Sequence, residues 1–172
     1  SDRPGIVYSM IGVNGAKYMH YNLSKKFFAD LAVLNNDLII VSLGTNESLD
    51  ANMTDQRLAE HLETFYRLLK ASNPQTAILV ITNPDTYYNR RKNLQSALIH
   101  DAIVDFCEAN ELPYWDRFNL MKGSGGIAAW YEAGLVQRDL IHFNEAGYHR
   151  MGELLFYSLM KAYDGMELPA GD

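Results

Sequence analysis

Asp139 and His142 stand three residues apart in the run from Gln137 to Gly147, Gln-Arg-Asp-Leu-Ile-His-Phe-Asn-Glu-Ala-Gly. A carboxylate and an imidazole on one loop are two of the three groups of a nucleophilic hydrolase. The carboxylate orients the ring and stabilises its charge, and the ring takes a proton from a hydroxyl nucleophile. The plainer reading is a surface pair that caps the amphipathic segment beginning at Asn144. The third group is harder to find. Ser9 lies within an apolar run and Ser42 ends one, and Ser48 suits a turn cap. Ser124, in the glycine-rich stretch Lys122-Gly-Ser-Gly-Gly126, is the best stand-in, but nothing in the pattern gives it a strand–helix elbow to hold it for attack. Trp130 and Tyr131, just beyond, read as a lid, a sugar-stacking surface or, for one ring, core.

The elements that would position these residues alternate. Ile6–Ile11, Asp37–Leu43, Ala77–Thr82 and Pro113–Trp115 read as strands, the second and third as nearly continuous buried runs. Ser24–Leu34, Thr54–Ala71, Leu94–Asn110 and Asn144–Tyr163 carry helix-period apolar residues. Thr54 is the expected cap of the second helix, and Asn73-Pro74 its end. Strand–helix alternation implies a parallel sheet covered on both faces, a three-layer α/β/α domain that binds ligands at the carboxyl ends of its strands. The loops there are Gly12-Val-Asn-Gly-Ala16, Gly44-Thr-Asn-Glu-Ser48 and Asn83-Pro-Asp85. Backbone N–H groups at the glycines and the side-chain amide of Asn46 supply what an oxyanion hole needs.

Composition narrows the classes. The 172 residues suit a single domain, with only the tail after Asp164 (165–172) looking loose. A net charge of −6 with scattered cations argues against nucleic acid, since Arg90-Arg91-Lys92 is too short for a binding stripe. Cys107 is the only cysteine and sits in an apolar pattern, which predicts a buried small residue. No stretch approaches the ~20 apolar residues of a membrane span. His61, His100 and His149 fall in helical patterns, and His20 adjoins the glycine loop. No histidine pair has metal-ligand spacing, so neither a metal nor another cofactor is expected.

In their order, these blocks resemble the SGNH (GDSL-like) hydrolase family of esterases and lipases. The resemblance implies that Gly15, with Gly12 as the alternative, gives its N–H to the oxyanion and that Asn46 gives its amide. It further implies that Asp139 and His142 are the acid and base of a triad. Glu47 stands where the family usually has Asp, at a position that supports the loop. A flavodoxin-like nucleotide binder is disfavoured, because no phosphate loop follows the first apolar run.

The family's Gly-Asp-Ser block has no match. The finer resemblance is to members in which a carbohydrate-binding-like module separates Gly-Asp-Ser from a Gly-Ile-Val-Tyr-like strand and an Ile-Gly-Val-Asn-Gly-Ala loop. The expectation is therefore a partial SGNH domain lacking the nucleophile-bearing strand, inactive alone and completed by an upstream segment or second chain. That strand would fill a slot between Ile6–Ile11 and Asp37–Leu43. The implied substrate is an acetylated or otherwise acylated carbohydrate, and the implied setting is bacterial, secreted or periplasmic. The alternative is an inactive carbohydrate-binding or scaffold module of the same fold.

Overall fold

The computed structural model describes residues 5–24 and 26–165. Beyond Gly165, the tail expected to be loose lies outside the described residues. In chain order the elements are α1 (Tyr18–Asn22), α2 (Phe27–Val33), β1 (Leu38–Val41), α3 (Thr45–Ser48), α4 (Asp55–Ser72) and β2 (Ala77–Ile81). There follow β3 (Tyr87–Tyr88), β4 (Arg91–Lys92), α5 (Gln95–Ala109), β5 (Tyr114–Trp115), α6 (Arg117–Gly123), α7 (Gly126–Glu132) and α8 (Glu145–Asp164).

Three strands form a parallel sheet in the order β1-β2-β5, with Leu38 opposite Ala77 and Val80 opposite Tyr114. The long helices form where the apolar period runs unbroken. Thr54 caps α4, accepting the Arg57 N–H at 3.3 Å, and Asn144 caps α8, accepting the Gly147 N–H at 3.0 Å. Period-two alternation sends Val41, Ile78 and Val80 into a core with α1, α2, α4 and α5, where Leu58, Leu62, Leu69, Ile99 and Ile103 are also buried. Cys107 is fully buried there, and burial pushes its thiol up to about 11.

The opposite face meets α6, α7 and α8. Trp115 packs against Met121, Ile127, Trp130, Phe143 and Met151, and its indole N–H donates to Ser158 of α8 at 3.1 Å. Trp130 is thus core, while Tyr131 is exposed. The three layers are present but unevenly filled. Leu38 and Ile40, which alternate with the inward Ile39 and Val41, remain 44% and 38% exposed on the face that α8 shares. Phe156 and Tyr157 on α8 are also bare.

The expected strand Ile6–Ile11 does not form. These residues belong to no ladder, and Ile6 and Tyr8 are 96% and 78% exposed. A β-branched run has strand propensity, but a strand exists only against a partner that takes its backbone hydrogen bonds. Among the described residues, β1 pairs with β2 alone and its other edge is open. The two-sided slot foreseen from the sequence is therefore a one-sided edge. No helix among the described residues is long and apolar enough to cross a membrane.

Candidate active site

The Asp139–His142 loop is built by a tight reversal before α8. Gln137 N–H donates to the His142 carbonyl at 2.8 Å, and Leu140 N–H donates to Gln137 at 3.0 Å. Leu140 takes φ 56°, a left-handed conformation uncommon for a branched residue. The turn brings the two side chains together, with His142 Nδ1 at 2.7 Å from Asp139 Oδ2. Asp139 Oδ1 accepts the N–H groups of Ile141 and His142 at 2.9 and 3.0 Å. An ionised carboxylate can only accept, so Nδ1 carries the proton and Nε2 presents its lone pair. Partial burial would raise the Asp139 pKa, but these hydrogen bonds and the facing ring outweigh it and hold the carboxyl below its usual range. Both side chains are about half open to solvent, at 55% for His142 and 41% for Asp139.

Asn46 belongs to the turn after β1. Gly44 enters it at φ 105°, and a Cβ there would come within 2.9 Å of Ile103 Cδ1 and 3.1 Å of Asn83 Cβ, so glycine is required twice over. Fully buried Glu47 braces the turn: Oε2 accepts the Gly44 N–H at 3.0 Å and Oε1 the Tyr18 N–H at 2.7 Å. Burial pushes this carboxyl up, and its amide donors only partly offset the shift. Asn46 Nδ2 donates to the Ala16 carbonyl at 2.9 Å, placing the amide beside Gly15. One of the two amide hydrogens is thereby used, and among the described residues the other has no partner. Gly15 turns at φ 72° with no atom within 4 Å of where a side chain would begin. Gly12 is exposed upstream.

The structure thus brings together Asp139 with His142, and Asn46 with the Gly15 turn. The two pairs are joined through the segment after β2 rather than by a direct hydrogen bond. Asn93 Nδ2 donates to the Ser48 carbonyl at 2.9 Å, and Tyr87 N–H donates to the Leu140 carbonyl at 2.9 Å. The turn after β1 and the segment after β2 leave the carboxyl ends of their strands, where such sheets bind ligands, and the Asp139–His142 loop, which follows α7, is tied to the second of them.

Two serines are accounted for. Ser48 donates to the Thr45 carbonyl at 2.7 Å, as a turn cap. Ser124 donates to the Met121 carbonyl at 2.9 Å and accepts the Trp130 indole N–H at 2.8 Å, which makes it part of a helix end. Among the described residues, no serine hydroxyl hydrogen-bonds to His142.

Sequence reasoning missed a second imidazole cluster. His100, buried and stacked on Phe118 at 4.6 Å, lies 2.7 Å from Asp101 through Nδ1 and 3.0 Å from Asp116 through Nε2. With both nitrogens engaged, the ring has no lone pair to offer. Asp116 also caps α6 by accepting the Asn119 N–H at 3.0 Å. Its burial would raise the carboxyl, yet Asn119 and His100 together hold it below its usual range. No spacing signal marks this cluster, because Asp116 reaches His100 from another element.

Residues 1–150 match the model of the GDSL-like lipase/acylhydrolase family. No curated protein matches the sequence. Among solved structures, one of a peptidoglycan O-acetylesterase superposes with TM-score 0.85 at 25% identity, covering 92% of this chain and 47% of that one. The chain therefore spans about half the length of that relative. A lipase/acylhydrolase from Enterococcus faecalis gives 0.67 at 21% identity, covering 84% of this chain and 71% of that one. A catalytic mutant of an acetylxylan esterase from Geobacillus stearothermophilus gives 0.64 at 15% identity, covering 92% and 72%.

Proposed function

Because the chain belongs to the GDSL-like lipase/acylhydrolase family, we propose that it carries the acid–base and oxyanion parts of a serine esterase that removes acyl groups, acetyl above all, from carbohydrate. The observation that carries this reading is the 2.7 Å contact of His142 Nδ1 with Asp139, which leaves Nε2 as the free base. The likeness to a peptidoglycan O-acetylesterase, at 25% identity, supports a carbohydrate ester as substrate.

The nucleophile is a serine on a strand outside this chain, docked along the open edge of β1. That edge and the bare Leu38 and Ile40 support the placement, since an unpaired apolar strand edge favours a partner strand. His142 Nε2 takes the serine proton as the hydroxyl oxygen attacks the ester carbonyl. The Gly15 N–H and the spare Asn46 amide hydrogen hold the oxyanion. As the acyl C–O bond breaks, His142 gives this proton to the departing sugar oxygen, which leaves as a hydroxyl, and a water that loses its proton to the same ring then cleaves the acyl-serine ester to release the acid.

The chain alone is expected to turn over p-nitrophenyl acetate no faster than buffer, and to gain activity when a strand ending in Gly-Asp-Ser is supplied by co-expression. His142→Ala should abolish that gain. Robust turnover by the chain alone, lost in His142→Ala and accompanied by fluorophosphonate labelling of Ser124, would reverse the assignment of the nucleophile. The lack of a serine partner for His142 among the described residues also suits an inactive binding module. That reading prevails if no Gly-Asp-Ser strand restores turnover.

A further inference from the structure

Two parts of this chain each lack what the other offers. The first is the apolar run Ile6-Val7-Tyr8-Ser9-Met10-Ile11, in which Val7 and Met10 are 92% and 79% exposed. Among the described residues it joins no ladder. The second is β1, which pairs with β2 along one side and leaves the backbone groups of its other side without a strand. Unpaired strand backbone and apolar side chains in water both favour pairing.

The run does not close on its own edge. Its exit is pinned to the turn that follows β1. Ala16 accepts the Asn46 amide at 2.9 Å, Tyr18 N–H donates to Glu47 at 2.7 Å, and Lys17 donates to Asp50 at 2.6 Å. From that fixed point the run stands in solvent, free to meet another copy without any change in the folded body.

The side chains match as well. Period-two alternation gives the run a bulky face of Ile6, Tyr8 and Met10 and a lighter face of Val7, Ser9 and Ile11. β1 has the corresponding asymmetry. Leu38 and Ile40 are bare on the side where Phe156 and Tyr157 of α8 are uncovered, whereas Ile39 and Val41 face the filled core. The bulky face suits the empty layer, and the lighter face suits the edge of the filled one. Docking would withdraw on the order of 100 Å² from each of the five apolar side chains. With the surface they cover, two reciprocal dockings reach on the order of 1,200 Å², the lower bound of a specific interface, and a single docking does not.

We propose that two copies of the chain exchange these parts, Ile6–Ile11 of each docking as a strand on the β1 edge of the other. The partner is thus a second copy, and the dimer is reciprocal. The exchanged strand occupies the edge assigned above to the serine-bearing strand. On the esterase reading, on which this consequence alone rests, the dimer is a form without a nucleophile that must open before the enzyme is completed.

Cross-linking tests the exchange directly. Tyr8→Cys chains are mixed with Ile40→Cys or Leu38→Cys chains under mild oxidation, and buried Cys107 does not compete. Opposite residues of paired strands stand about 4.5–5.5 Å apart at Cβ, within disulfide reach. The expected product is a covalent dimer with one chain of each kind, at least tenfold more abundant than any variant forms alone. Equally efficient linking of Ile40→Cys to itself would mean that β1 meets β1, and would overturn the exchange. So would a Tyr8→Cys/Ile40→Cys chain that closes its disulfide within a single 19.5 kDa chain. Val7→Pro/Tyr8→Pro removes an N–H from each side of the run outside the folded body. It should raise the dimer dissociation constant tenfold or more with Tm unchanged in the monomer, and undiminished association would refute the proposal. Assemblies that grow beyond two chains would refute its reciprocity. Finally, a synthetic strand ending in Gly-Asp-Ser should dissolve the dimer as it binds. Dimer dissolved without gain of activity would sink the esterase reading and leave the exchange standing. Activity gained with the dimer intact would show that the two strands do not compete for β1.

Discussion

A single hydrogen bond decides which nitrogen of His142 can act as a base, and Asp139 makes that bond while accepting two backbone N–H groups. Those three donors dissolve on unfolding, so the folded chain holds the Asp139 proton more weakly than the unfolded chain does. The stability that follows is fully present above the ordinary carboxyl value of about 3.9. It is lost as pH falls through the lower folded value. A carbon-detected NMR titration should find the Asp139 midpoint below 3.9, and Asp139→Asn should remove this share of the acid-side loss of stability. A midpoint at or above 3.9 would show that burial dominates after all. Asp139 and His142 were legible because their spacing is local. Asp85 was named only as part of a loop after a strand, because its burial depends on Gly125 and Gly126 some forty residues later.

Among the elements, legibility followed length. β1, β2, α4, α5 and α8 match the expected runs within a few residues, because each carries enough apolar period to declare the face it buries. α1, α3, α6, α7 and the β3–β4 hairpin are too short to carry a period, and tertiary contacts shape them: Glu47 ties the start of α1 to the turn before α3, and Asp85 ties down α7. Ile6–Ile11 fails in the opposite sense, having the composition of a strand and no ladder to join. The turn between β1 and α3 is where backbone conformation and close approach coincide. Gly44→Ala is expected to destabilise by about 1–3 kcal/mol, from its left-handed φ and its contacts with Ile103 and Asn83. Urea unfolding should show this as a lower midpoint with an unchanged slope. No change would mean that α5 yields locally and that the glycine is not needed for packing.

For the molecule as a whole, the uneven outer layer matters most. Leu38 and Ile40 on β1 and Phe156 and Tyr157 on α8 leave apolar surface bare on one side of the sheet. Open strand edges and contiguous apolar surface promote association. The isolated chain is therefore expected to sediment above 19.5 kDa as concentration rises, and Ile40→Lys to bring it back toward that mass. A wild-type chain that stays at 19.5 kDa at high concentration would show the surface to be less adhesive than its composition implies.

The open edge of β1 also governs how accurately a catalytic serine could be delivered. Side chains alternate between the faces of a strand, so a docking error of one residue sends every side chain to the wrong side. Against β1, one face leads to the packed core of α4 and α5 and the other to the bare layer beside α8. A slip of one residue would not yield a slightly weaker enzyme, because no intermediate position exists between the two faces. On the proposed reading, a strand carrying the serine either docks on this edge with the serine on the side of the acid–base loop or presents it to the wrong face.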